Sequence, residues 1–127
     1  MKYLFLLWSL AVSAVSFGQT KNCRDFREGK FKIVDTKQGT TTIIERKGST
    51  QVEYQPGSPV KILAKVKWLD DCTYVLIPKM MMDGRAKTRL PKLVMTVQIT
   101  ETKSNSYIFR ASIKNMEPLE QEMLRIE

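Results

Sequence analysis

The stretch VKILAKVKWL, residues 60–69, constrains the fold more tightly than any other part of the chain. Val60, Ile62, Ala64, Val66 and Trp68 alternate with Lys61, Leu63, Lys65 and Lys67, so one apolar face is set against a largely basic one. A period of two fits an extended strand, whose successive side chains point to opposite faces, and does not fit a helix. The same rhythm recurs along the sequence. In GKFKIVD, Phe31 and Ile33 oppose Lys30 and Lys32. TTIIERK and TQVEYQ follow, broken by Lys47-Gly48-Ser49, with Val52 and Tyr54 on one face and Gln51 and Glu53 on the other. CTYVLI returns after an Asp70-Asp71 turn, and LVMTVQITE pairs naturally with YIFRASI around Lys103-Ser104-Asn105. Pro56-Gly57-Ser58-Pro59 is strong turn punctuation.

Two segments break the rhythm. PKMMMDGRAKTRLPK, residues 78–92, reads as a basic, methionine-rich loop. In EPLEQEMLRIE, Leu119, Met123 and Ile126 fit a helix, while Leu124 and Ile126 set against Glu120 and Glu122 fit a strand; a closing strand is the preferred reading. The expectation is an all-β chain of seven or eight short strands in an antiparallel meander. A flat sheet would leave one apolar face wet, so the meander should curl into a small barrel or half-barrel, ahead of a two-sheet sandwich.

The first residues have a different grammar. Lys2 precedes an almost unbroken apolar run from Tyr3 to Val15, and Ser16 and Gly18 supply the small residues of a cleavage site. Residues 1–18 are therefore read as a signal peptide, cut before Gln19, and residues 19–127 as one β domain. The run is shorter than the roughly 20 apolar residues of a membrane span. Export implies a periplasmic or secreted location, soluble after processing. The whole chain carries a formal charge of +8, and losing Lys2 with the leader leaves +7.

In an oxidising compartment, the two cysteines, Cys23 and Cys72, read as one disulfide. Closing a loop of about 50 residues is worth on the order of 4 kcal/mol in the chain-entropy model. The bridge would pin the arm that follows the leader to the end of a hairpin, a structural role rather than a reactive one.

Two short patterns then stand out: Cys23-Arg24-Asp25-Phe26-Arg27-Glu28-Gly29-Lys30-Phe31 and Trp68-Leu69-Asp70-Asp71-Cys72-Thr73-Tyr74. Together they resemble a group of short exported proteins of Bacteroidetes-type bacteria whose activity is not established, some of them labelled DNA topoisomerase IV. The resemblance implies a bacterial envelope location and a calycin-like or lipocalin-like fold. It implies no mechanism, and a topoisomerase needs a far larger assembly than this chain.

For function, the composition removes the commonest general base and metal ligand, since the chain has no histidine. There is no HExxH, GxSxG, P-loop or Rossmann glycine pattern. Glu45 and Glu53 could face each other across a hairpin, but alternation with Lys and Gln is also how a solvated strand face looks. The expectation is a non-enzyme that needs no metal or organic cofactor and acts as a monomer by noncovalent binding. The first reading is a small apolar ligand or lipid held in or at the mouth of a barrel. Its candidate residues are Phe31, Ile33, Tyr54, Ile62, Val66, Trp68 and Phe109, with Val52 and Ile113 also pointing inward. The alternative is contact with an envelope protein or an anionic membrane surface. Lys79, Met80, Met81, Met82, Arg85, Lys87 and Arg89 would then surround soft apolar side chains with cationic heads. Nucleic acid is disfavoured, because single-strand binders need aromatics on an exposed basic face and most of these aromatics alternate inward.

Overall fold

The computed structural model describes residues 21–127; the proposed signal peptide, residues 1–18, lies outside them. A short 3-10 turn at Cys23–Phe26 leads into nine strands. These are β1 (Gly29–Asp35), β2 (Thr40–Lys47), β3 (Thr50–Tyr54), β4 (Val60–Asp70) and β5 (Thr73–Asp83), then β6 (Ala86–Arg89), β7 (Met95–Thr102), β8 (Ser106–Ile113) and β9 (Leu119–Arg125). All pairings are antiparallel, and eight of the strands close a barrel in the order β1-β2-β3-β4-β5-β7-β8-β9, with β9 returning to β1. Strand β6 extends the sheet beyond β5 as an added edge. The expected barrel is thus present, and the C-terminal segment is its closing strand.

One element departs from expectation. Residues 78–92 are not a loop: Met80–Asp83 continue β5, Gly84 makes the turn at φ 60°, and Ala86–Arg89 pair back as β6. Pro78 explains why the pattern looked broken. It carries no N–H and sits at a register shift, where Ala64 pairs with Pro78 and Leu63 with Met80, leaving Lys79 as the extra residue. A proline is tolerated in a strand at such a bulge. There β5 also changes neighbour, pairing β7 through Thr73–Leu76 and β6 from Met80 onward.

Local chemistry fixes the ends of the strands. Gln55-Pro56-Gly57-Ser58 forms a turn closed by Ser58 N–H donating to the Gln55 carbonyl at 3.0 Å, with Gly57 at φ 81°. At the β4–β5 hairpin, Asp70 Oδ1 accepts the Cys72 N–H at 2.9 Å, shaping the tip. Gly29 opens β1 at φ 140°, and a Cβ there would stand 3.1 Å from the Glu127 carbonyl. This glycine is required both by its backbone angle and by the close passage of the C-terminus.

The two ends of the barrel are closed to different degrees. The seam between β1 and β9 is paired only through Phe31–Arg125 and Lys32–Leu124, with Lys30 and Glu127 exchanging backbone bonds below. The other short seam, β5–β7, covers Thr73–Leu76 against Met95–Gln98. Both seams lie toward the end that holds the disulfide. At the opposite end the strands splay. The buried core follows the same gradient: Cys23, Phe26, Phe31, Tyr74, Tyr107 and Ile99 are sealed, whereas Ile33 and Met95, further along, are only partly covered.

Candidate binding site

The Cys23–Cys72 disulfide, with Cα atoms 5.2 Å apart, holds the N-terminal arm to the β4–β5 hairpin tip. Asp71 in that tip accepts from Arg24 at 2.9 Å and Arg27 at 3.2 Å, adding two exposed ion pairs to the tether. Beneath the arm, Phe26 packs edge-on against Tyr107 with ring centroids 5.2 Å apart, and Phe31 does so at 6.0 Å. The Arg125 guanidinium covers both phenylalanines, and Arg27 lies 4.9 Å above the Trp68 ring.

At the centre of this plug sits a buried cation. Arg46, 2 % exposed, donates from Nε to Gln51 Oε1 at 3.1 Å, and from its terminal nitrogens to the Phe26 carbonyl at 2.9 Å, Tyr74 Oη at 3.0 Å and Tyr107 Oη at 2.9 Å. No carboxylate pairs with it among the described residues. Burial alone would lower the pKa of Arg46, but the electrostatic pull and hydrogen bonds of Tyr74 and Tyr107 outweigh it, so the guanidinium stays charged. Burial pushes the Tyr74 phenol well above its ordinary range. A charge out of water costs several kcal/mol, and hydrogen bonds to a charged group return about 1.5–3 kcal/mol each. The cluster is therefore a satisfied polar bolt through the barrel end. It fills the interior of this end, and the groove of about 400 Å³ beside Arg46, lined by Lys30, Glu45, Lys47 and Val52, belongs to the outer wall.

The opposite end is different. Thr42 of β2, Glu53 and Gln55 around β3, Ser58 in the turn, and Val60 and Ile62 of β4 line a cleft of about 350 Å³, with Tyr54 at its border. A second groove of about 380 Å³ lies where β1 and β9 diverge, between Val34–Lys37 and Leu119–Leu124. Most of the large exposed apolar side chains are also at this end: Val34, Leu93, Val94, Met116 and Leu119, against Leu69 and Ile126 at the closed end. A cleft of this size lies at the small end of the range used for small-molecule sites.

Register decides which face each side chain takes. Gln51 is opposite Arg46 and Ala64, both buried, so Gln51 and Glu53 face inward and Val52 and Tyr54 face outward. The inward placement expected for Val52 and Tyr54 is therefore corrected. Tyr54 donates its hydroxyl to Glu45 at 3.1 Å on the outer wall, with the Lys61 ammonium 4.9 Å from its ring. The suggested Glu45–Glu53 pairing fails for the same reason: Glu45 is opposite Val52 and outside, while Glu53 is opposite Ile44 and inside.

The remaining candidates divide by height in the barrel. Phe31, Val66, Trp68 and Phe109 belong to the filled part, Trp68 packing tilted against Tyr74 with ring centroids 4.6 Å apart. Ile62 lines the cleft, and Ile33 and Ile113 are half-buried toward the open end. Of the basic segment, Lys79 is the exposed bulge residue and Arg85 lies in the exposed turn. Met81 is opposite Ile62 and faces the interior side, whereas Met80 and Met82 are opposite Leu63 and Lys61 and face out with Arg89 and Lys87.

Sequence reasoning missed Arg46 and Gln51 in the plug, and it paired Glu53 with Glu45 or left it on a solvated face rather than placing it inside at the mouth. Their strands alternate cleanly, but in TQVEYQ the more apolar face turns outward. Only the flanking strand, where Ala64 is buried, corrects the assignment. Glu53 is largely withdrawn from water, which raises its carboxyl pKa, and it makes no hydrogen bond or ion pair among the described residues.

Fold and cleft define a class: a small antiparallel β-barrel, bolted at one end and open at the other. Beyond that class, the chain matches no protein-family model, no curated protein and no solved structure. Among the described residues there is no cluster of three or more metal-ligating side chains and no helix long and apolar enough to cross a membrane.

Proposed function

We propose that this is an exported, noncatalytic envelope protein that holds a small apolar or amphipathic ligand at the open end of its barrel. The observation that carries the reading is the asymmetry of the interior. Disulfide, aromatics and the Arg46 cluster fill one end, while the other keeps half-exposed Ile62 and Val60 around a cleft of about 350 Å³, with further exposed apolar residues elsewhere at the same end. Eight-stranded barrels have interiors that either fill with side chains or admit one small ligand. Here the two conditions occupy different halves of one barrel. The disulfide fits an oxidising compartment, and the resemblance to short exported proteins supports an envelope location.

The test uses the chain without residues 1–18 and the neutral dye N-phenyl-1-naphthylamine. Fluorescence should rise saturably with one dye per chain, and Ile62→Trp, which fills the cleft, should remove most of the rise. An unchanged signal in that variant, or no uptake at all, would overturn the reading.

A second reading rests on a separate feature, the outer face of β4–β6. Register places Leu63, Ile77, Met80 and Met82 among Lys61, Lys65, Lys87 and Arg89 on that wall. Cationic heads around half-buried apolar side chains suit an anionic lipid surface, each basic residue contributing about 1 kcal/mol near the headgroups. Cosedimentation with phosphatidylglycerol vesicles should be salt-sensitive and lost when Lys61, Lys65, Lys87 and Arg89 become Ser. Retention by that variant would remove the reading.

A further inference from the structure

Glu53 is the one charged side chain that lines the open-end cleft. It projects from the inner face of β3 between Ile44 and Ile62, its cross-strand neighbours, with no ion pair among the described residues. The inner positions of the surrounding strands add two more carboxylates and no cation. Asp35 ends β1 on the face of Ile33, and Asp83 ends β5 on the face of Met81, opposite Val60. The lysines of β4, Lys61, Lys65 and Lys67, are all turned to the outer wall by the same alternation. Lys87 and Arg89 of β6 face out with Met82 and Met80, Lys79 is the exposed bulge residue, and Lys37, Arg85, Lys92 and Lys114 lie in exposed connecting segments. A protein with net charge +8 thus presents a locally acidic inner mouth.

We infer that the cleft selects an amphiphile with an ammonium or other cationic head, its charge paired with the Glu53 carboxylate and its apolar chain laid against Ile62 and Val60. This rests on the cleft being a ligand site and adds the chemical class of ligand. The physical reason is compensation. An isolated carboxylate half-withdrawn from water is costly, as its raised pKa reflects, and a charged donor bound there relieves the cost while a neutral alcohol relieves only part of it. An anionic head would add a like charge to a low-dielectric site.

The experiment compares decylammonium, decanol and decyl sulfate, each below its micelle concentration, as competitors of N-phenyl-1-naphthylamine. Decylammonium should displace the dye at a concentration about tenfold lower than decanol, and decyl sulfate should be the weakest. Nonspecific attraction to a protein of this net charge gives the reverse order, with the sulfate strongest. In Glu53→Gln, checked for an unchanged far-ultraviolet circular dichroism spectrum, the ammonium preference should collapse to parity with decanol, each competitor being scaled to that variant's own dye affinity. Equal potency of decanol and decylammonium on the wild-type chain, or a preference that survives in Glu53→Gln, would overturn the inference and leave the cleft reading intact. Failure of the dye and all three competitors to bind would instead remove the cleft reading itself.

Discussion

The two ends of this barrel are built from the same strands and solve opposite problems. At the closed end, a disulfide, two ion pairs to Asp71, a stack of aromatics and guanidinium groups, and the buried Arg46 cluster tie five chain segments together. At the open end both short seams have already parted, and inward-facing Ile33, Glu53, Ile62 and Met95 keep part of their surface uncovered. The difference teaches where stability and binding reside. A barrel that must leave one end accessible needs its cohesion at the other, because uncovered apolar surface contributes little to folding.

The largest test of that division removes the tether. Cys23→Ser with Cys72→Ser should lower the unfolding free energy by about 4 kcal/mol in a denaturant titration, since the bridge spans 49 residues of sequence. Arg46→Ala comes next. It strands Gln51 and the Phe26 carbonyl in a closed core, and a loss of about 3 kcal/mol is expected by the same titration. If either change costs no more than a cleft mutation such as Ile62→Ala, the closed end is not the stabilising half.

The ends should also separate in their response to pH. The buried Tyr74 phenol keeps its proton in the folded barrel to a pH well above 10.0, the value at which it titrates when exposed. Its contribution is therefore fully present below that exposed value and is lost as pH rises toward the folded one, by up to about 1.4 kcal/mol per pH unit. Tyr74→Phe should flatten this alkaline limb of a stability profile.

The smallest effect belongs to the open end and runs in the same direction with pH, but in the acid range. Glu53 is raised from the carboxyl value of 4.5 by desolvation, so the fold favours its protonated form. Ionisation costs stability as pH climbs through the folded value, and the cost is absent below the unfolded one. Glu53→Gln should accordingly stabilise the protein at neutral pH by less than about 1 kcal/mol, the gain vanishing below pH 4.5. A destabilising Glu53→Gln would mean that the carboxylate is already compensated in the free protein.

Much of the architecture was legible in the sequence, for identifiable reasons. Period-two alternation in residues 60–69 and 107–113 marked real strands with the correct inner faces, and two cysteines after an apolar leader marked the bridge. The segment at residues 78–92 was misread because Pro78 and the Lys79 bulge shift its alternation by one residue, so three consecutive methionines look like no strand at all. Bulges reset parity, and parity is all that a period carries.

The site was less legible than the fold. Ile62 was found because its strand is apolar on one face only. Glu53 and Tyr54 were both assigned to the wrong face, because β3 turns its more apolar face outward. By itself the sequence determined most of the strand content apart from residues 78–89, the antiparallel order of neighbours and the covalent staple, all of which follow from local alternation, turn chemistry and cysteine count. Only the tertiary structure decided which face of β3 is inside, that Arg46 bolts one end, and that the other end is open. Those outcomes depend on register between strands distant in sequence, and a one-residue slip exchanges inside for outside without altering a single local preference.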